Sequence, residues 1–171
     1  MNLMYFKKNK LFIEEVDALK IVRKYGTPTY CYSLNRLRNN IHNFQKSFKS
    51  IRPLICFSVK SNNNRQILKE IKKAGVGADV VSKGEMLQAL KAGILPKKIV
   101  FSGVGKKTEE LKFAIEKKIL LINTESESEI FEIERLAKLK KKIVNIGIRL
   151  NPNIDAKTLK KISTGKHEDK L

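Results

Sequence analysis

Tryptophan is absent from this chain, and cysteine, histidine and proline are scarce: two, two and four in 171 residues. Cys31 and Cys56 cannot build a disulfide framework, and no CxxC or Cys/His spacing suits a metal. His42 and His167 lie too far apart in sequence to mark a ligand pair. Both cysteines sit in apolar, strand-like runs and read as small buried hydrophobes. No apolar run reaches the roughly 18 residues that suggest a membrane span, and Met1 to Lys10 lacks the apolar segment of a signal peptide. The expected compartment is the cytoplasm, with no membrane partner.

Acidic residues are few as well: 17 Asp+Glu stand against 36 Lys+Arg, a formal charge of +19. Such a surplus suits a nucleic-acid binder. Its make-up argues otherwise. Only seven of the 36 are arginine (Arg23, Arg36, Arg38, Arg52, Arg65, Arg135, Arg149), leaving 29 lysines spread along the chain. Arginine is the residue that forks onto phosphates and reads bases. Lysine, asparagine and isoleucine share A/T-rich codons, so a biased base composition accounts for the excess, and no nucleic-acid partner is expected.

What the chain does have is rhythm. Thr29-Tyr30-Cys31-Tyr32 reads as a short strand, and Ser33 caps a helix with Leu37, Ile41, Phe44 and Phe48 on one face. Strand signals then cover Pro53–Val59, Val76–Val81, Lys98–Ser102, Ile119–Asn123 and Ile143–Leu150. Helical patterns fill the gaps at 64–74, 83–92, 108–117 and 126–139, with a Ser82/Glu85 capping box and glycines at 75 and 93 as stops. Five strand units with four intervening helices and short connections describe a parallel α/β sheet, either doubly wound or part of a (β/α)8 barrel. No GxGxxG follows the first strand, so dinucleotide binding has no support. A barrel would still lack about three of its eight units. The Lys-rich stretch from Thr158 to Leu171 adds no closing element, which would leave Ile143–Leu150 at an open edge.

Lys60 ends the apolar run Pro53-Leu54-Ile55-Cys56-Phe57-Ser58-Val59. By position alone it is a strand-end lysine with its ammonium in water. A partly desolvated amine at the same place is what a carbonyl compound needs to form a Schiff base. On a strand, Cys56, Ser58 and Lys60 share one face, and the two small side chains leave room for a flat ring. Those are the requirements of pyridoxal phosphate.

Six segments in order carry a resemblance. They are Tyr25-Gly26-Thr27-Pro28-Thr29-Tyr30-Cys31-Tyr32-Ser33; Phe57-Ser58-Val59-Lys60-Ser61-Asn62; Gly77-Ala78-Asp79-Val80-Val81-Ser82-Lys83-Gly84-Glu85; Ile99-Val100-Phe101-Ser102-Gly103-Val104-Gly105-Lys106; Asn123-Thr124-Glu125-Ser126; and Arg149 to Ala156 with Ile162-Ser163-Thr164-Gly165. Over roughly residues 10 to 170 the chain resembles the N-terminal part of the diaminopimelate decarboxylase family, among the alanine-racemase-like (fold type III) pyridoxal-phosphate enzymes. The resemblance implies a partial (β/α)8 TIM barrel over 34–171, and a segment 1–33 that contributes to a second β-domain. It implies the cofactor pyridoxal 5'-phosphate, an amino-acid substrate, a homodimer, and the conversion of meso-diaminopimelate to L-lysine and carbon dioxide. Lys60 would carry the cofactor. Asp79 would lie near that lysine or simply pair with a cation. Arg149 would reach the ring or its phenolic oxygen, or form a plain ion pair. Ser58 would face the ring or pack. Gly103 and Lys106 read as loop structure.

Two positions depart from the family pattern: Leu159 stands where a histidine is usual, and Leu171 where Phe-Gly continues. The second departure fits a frameshift or an early stop. The ring-stacking histidine, phosphate loop and substrate-binding groups of the family lie downstream, so the 171-residue chain is expected to be inactive and poorly folded alone. The competing readings are a related ornithine- or arginine-type decarboxylase, a non-catalytic remnant, and a basic RNA-binding module. The Arg149–Asp155 and Ile162–Gly165 segments favour diaminopimelate.

Overall fold

The computed structural model describes residues 3–154 and 157. The chain divides into two compact units, Met1–Pro53 and Leu54–Leu171.

The first unit opens with an antiparallel sheet of β1 (Met4–Lys7), β2 (Lys10–Ile13) and β3 (Val16–Asp17). Tyr5 and Phe12 stack across β1 and β2 with ring centroids 5.6 Å apart. Helix α1 (Ala18–Tyr25) follows, its first turn capped by the Asp17 carboxylate, which accepts from Leu19 N–H at 2.9 Å. Helix α2 (Leu34–Ser47) starts at the expected Ser33 cap, and Phe44 and Phe48 meet on one side of it, centroids 4.8 Å apart. Ser33 Oγ and Asn35 Nδ2 both donate to Glu14, tying the start of α2 to the turn between β2 and β3. Residues 29–32 form no strand, because no neighbour pairs with their backbone; Tyr30 and Tyr32 are exposed. Cys31 is exposed too, which corrects the expectation that it is buried.

The second unit is a five-stranded parallel sheet in the order β4-β5-β6-β7-β8. The strands are β4 (Cys56–Ser58), β5 (Gly77–Val80), β6 (Ile99–Phe101), β7 (Leu121–Thr124) and β8 (Ile146–Ile148). Helices α3 (Arg65–Lys73), α4 (Lys83–Lys91), α5 (Thr108–Lys117) and α6 (Glu127–Lys140) alternate with them. Spatial order equals chain order, the arrangement of a barrel wall.

One local device repeats. Ser82 accepts from Glu85 N–H while Glu85 Oε2 accepts from Val81 N–H; Ser126 and Glu129 do the same with Glu125 N–H. Each pair satisfies helix-start donors that would otherwise be orphaned. At the other ends, residues 75, 93, 118 and 141 adopt positive φ, two as glycine and two as lysine. The chain then turns back through backbone bonds such as Ile94 N–H to Ala89 O at 3.1 Å and Lys142 N–H to Ala137 O at 3.0 Å.

The parallel register sorts the sheet into two faces. Ala78, Val80, Ile99, Phe101, Ile122 and Thr124 lie on one, all buried beneath the helices. Ile67, Leu68 and Ile71 of α3, Met86 and Ala89 of α4, Leu111, Ala114 and Ile115 of α5, and Ile133 and Leu136 of α6 complete this core. The hydroxyl of buried Thr124 donates to Gly147 O at 3.0 Å. The opposite face carries Cys56, Ser58, Asp79, Val100, Ser102 and Asn123, all half-buried.

Candidate active site

Parallel strands bring their C-terminal ends to one edge of the sheet, where reactive groups gather in barrel enzymes. Lys60, Asp79, Ser102, Asn123 and Arg149 all reach that edge. Lys60 arrives there differently from expectation. The strand stops at Ser58, and residues Val59–Ser61 form a single 3-10 turn. Ser61 Oγ donates to Ser58 O at 2.7 Å and Asn62 N–H to Val59 O at 3.0 Å, which winds the backbone out of the pleat. Strand alternation therefore joins Cys56 to Ser58 but does not extend to Lys60. Val59 goes into the core, and Lys60 is exposed at the strand end. Among the described residues its amine has no hydrogen bond or ion pair.

Asp79 is the hub of the polar face. Its Oδ1 accepts from Ser102 Oγ at 2.5 Å and its Oδ2 lies 3.4 Å from Ser58 Oγ. Asn123 Nδ2 in turn donates to Ser102 Oγ at 3.0 Å. One hydrogen-bonded arc thus runs from β4 through β5 and the end of β6 to β7. Asp79 is held by hydroxyls, and among the described residues no ion pair links it to a cation. Cys56 lies diagonally from it across the β4–β5 pair. Burial pushes the Cys56 thiol up, and the negative charge of Asp79 adds to the effect.

Arg149 follows β8, and its N–H still continues the ladder to Thr124 O at 3.0 Å. Its guanidinium pairs with Glu125, Nη1 to Oε2 3.2 Å, at the rim of the same edge. The structure therefore joins Ser58 and Asp79 directly, and places Lys60 and Arg149 at the same edge without a contact to either. Asp155, Ala156, Leu159, Ile162–Gly165 and Leu171 lie outside the described residues.

Ser102 and Asn123 were not singled out by sequence reasoning. Counting alternate residues outward from Val100 and Leu121 would have put both on the face of Asp79. Lys106, read from the sequence as loop structure, has a buried ammonium bonded to Gly103 O at 2.6 Å, Asn123 O at 2.7 Å and Glu129 Oε1 at 3.0 Å.

The sequence model described as pyridoxal-dependent decarboxylase, pyridoxal binding domain, matches residues 34–171. The chain belongs to that family. It is 42% identical over 171 residues to diaminopimelate decarboxylase of Haemophilus influenzae, covering all of this chain and 41% of that protein. Against the enzyme of the same name from Helicobacter pylori it is 45% identical over 152 residues, 89% of this chain and 38% of that one. The solved H. pylori decarboxylase complexed with L-lysine superposes with a TM-score of 0.86 at 42% identity, over 89% of this chain and 39% of that one. The M. jannaschii diaminopimelate decarboxylase in co-complex with L-lysine gives 0.87 at 35%, over 96% and 39%. A Chlorella virus arginine decarboxylase shares the fold, TM-score 0.66, at 18% identity. The chain spans about two fifths of the length of these diaminopimelate decarboxylases, and the five-stranded sheet is the N-terminal part of the family's barrel.

The family's cofactor needs an accessible amine, room beside it and polar groups to orient a ring. The residues present fit: Lys60 offers an amine with no partner among the described residues, Cys56 and Ser58 are small, and Asp79 is held in a fixed hydrogen-bonded position at the same sheet edge.

Proposed function

We propose that this chain supplies the lysine-bearing part of a pyridoxal-phosphate-dependent decarboxylase that converts meso-diaminopimelate to L-lysine and carbon dioxide. The observation that carries the reading is the Lys60 amine, without a partner among the described residues, at the strand edge where Asp79 anchors a polar arc. Identity of 35–45% to diaminopimelate decarboxylases supports the substrate, against 18% for the arginine enzyme.

In this reading Lys60 holds pyridoxal phosphate covalently through Nζ. When bound, the cofactor supplies the electron sink that decarboxylation requires. Asp79 offers a carboxylate fixed by two hydroxyls, so it meets a cationic group without reorganising. Ser58, on the same strand face as Cys56, would lie beside the ring. Arg149 closes the rim and is oriented by Glu125. The barrel domain begins at 34, where the family match begins, and 1–33 contributes to a second β-domain. The protein acts as a cytoplasmic homodimer on a small amino acid; two unpaired cysteines, one exposed, suit a reducing compartment. No helix among the described residues is long and apolar enough to cross a membrane.

The test is to incubate the chain with pyridoxal phosphate, reduce with borohydride and map the modified peptide. Expected is one label per chain, on Lys60, lost in Lys60→Ala. Labels scattered over the surface lysines, unchanged in Lys60→Ala, would defeat the reading. In a longer protein that contains this segment, carbon dioxide release separates the substrates: release from ornithine or arginine, but none from meso-diaminopimelate, would contradict the assignment.

A further inference from the structure

Beyond Lys60, the buried cation Lys106 has no place in the proposed chemistry. Its side chain is 1% exposed, and a charge taken from water at this depth must have each donor matched. An ammonium has three donors. Here they meet three acceptor groups: Gly103 O at 2.6 Å, Asn123 O at 2.7 Å, and the Glu129 carboxylate at 3.0 and 3.2 Å.

The choice of carbonyls is what matters. Strands β6 and β7 pair only at Val100↔Leu121 and Phe101↔Ile122. The next pair would be Ser102 and Asn123, whose side chains join the arc on Asp79. At that level the ladder has ended. The Lys106 ammonium bridges the strands instead, gripping the carbonyl of Asn123 and that of Gly103, the neighbour of Ser102. On its other side Ser102 N–H is held by Val80 O at 2.8 Å. Glu129, fixed at the start of α6 by its bond from Glu125 N–H, holds the ammonium in place.

We infer that Lys106 is a positioning residue of the site: it replaces the missing β6–β7 backbone pairing and so keeps Ser102 and Asn123 aligned on Asp79. This rests on the functional reading only in treating Asp79 as part of the site.

The test needs no cofactor. Cys56 lies diagonally from Asp79, so its reactivity reports whether that face stays closed. In a Cys31→Ser background, the rate of Cys56 alkylation by iodoacetamide at pH 8 is measured in the folded chain. Lys106→Met is expected to raise the rate several-fold, as is Ser102→Ala, which breaks the arc directly. Leu136→Ala, a core change on α6 that destabilises without touching the arc, is expected to leave the rate near its starting value. A starting rate in Lys106→Met, or an equal rise in Leu136→Ala, would overturn the inference. Should Lys106→Met not fold, Glu129→Gln weakens the grip while leaving both carbonyl contacts; a smaller rise is expected, and no rise counts against the role. If pyridoxal phosphate fails to mark Lys60, the functional reading falls while this measurement still stands.

Discussion

Replacing Glu129 by alanine removes the counter-charge of Lys106 and leaves an ammonium whose side chain is 1% exposed with two carbonyls alone. Breaking a buried ion pair by deleting one partner costs about 3–5 kcal/mol. The two carbonyls stay in place, so the lower end applies, about 3 kcal/mol. Glu129 also accepts from Glu125 N–H at 2.9 Å, and losing that bond adds about 1 kcal/mol. The sum, about 4 kcal/mol, is a large share of the roughly 5–15 kcal/mol that holds a typical domain together. With a urea slope near 2 kcal/mol/M, the unfolding midpoint falls by about 2 M. The control is Glu132, one turn along the same helix. Its paired bonds to Arg135 are as short, 2.8 and 2.9 Å, but the side chains are 58% and 27% exposed. Solvent screens that pair, so Glu132→Ala is expected to shift the midpoint far less than Glu129→Ala. Urea unfolding followed by circular dichroism measures both. Equal shifts in the two variants would refute the argument that burial, not bond length, sets the value of these carboxylates.

Two further outcomes follow from the β4–β6 region. A methyl group on Gly77 would lie 2.3 Å from Lys98 O and 3.0 Å from Cys56 Sγ; because the first obstacle is backbone, Gly77→Ala forces β5 from β6 and costs roughly 1–3 kcal/mol, read as a lower thermal midpoint. The Cys56 thiol is raised above its ordinary 9.0 by burial and then by Asp79, so between the unfolded and folded values the native chain holds the extra proton. Stability from this group is therefore complete below pH 9 and declines as pH rises further; Cys56→Ser removes that part of the slope, and an identical slope in both proteins would contradict it.

Much of the architecture was readable from local signals. Helices α3 to α6 begin at Asn64, Ser82, Lys107 and Ser126, and three of these four caps are side chains built to accept a helix-start N–H. Their buried faces follow the 3.6-residue spacing, and the strands between them show as short apolar runs. Lys60 stood out for the same reason, ending one such run. Strand lengths were overread: Ile143–Leu150 shortened to Ile146–Ile148, and the run through Val59 broke at Ser58. Hydropathy marks which residues are apolar, but backbone pairing decides where a strand stops, and pairing is a property of two segments. The N-terminal hairpin strands escaped notice because a sheet of short, mostly exposed strands leaves little alternation to read.

By itself the sequence determined the βα order of the second unit, the approximate bounds of α3 to α6, the family and the lysine at the strand end. These are encoded in neighbours a few residues apart, where capping, spacing and motif order act. Only the tertiary structure decided what each charged group does. Lys60 and Lys106 are the same residue type, each in the segment after a strand, yet one is exposed with no partner among the described residues and the other is enclosed by three acceptors drawn from residues 103, 123 and 129. Likewise Asp79 is met by serines 21 and 23 positions away rather than by a cation. The energy of a charge depends on how far water is excluded and which dipoles face it, and both are set by segments distant along the chain.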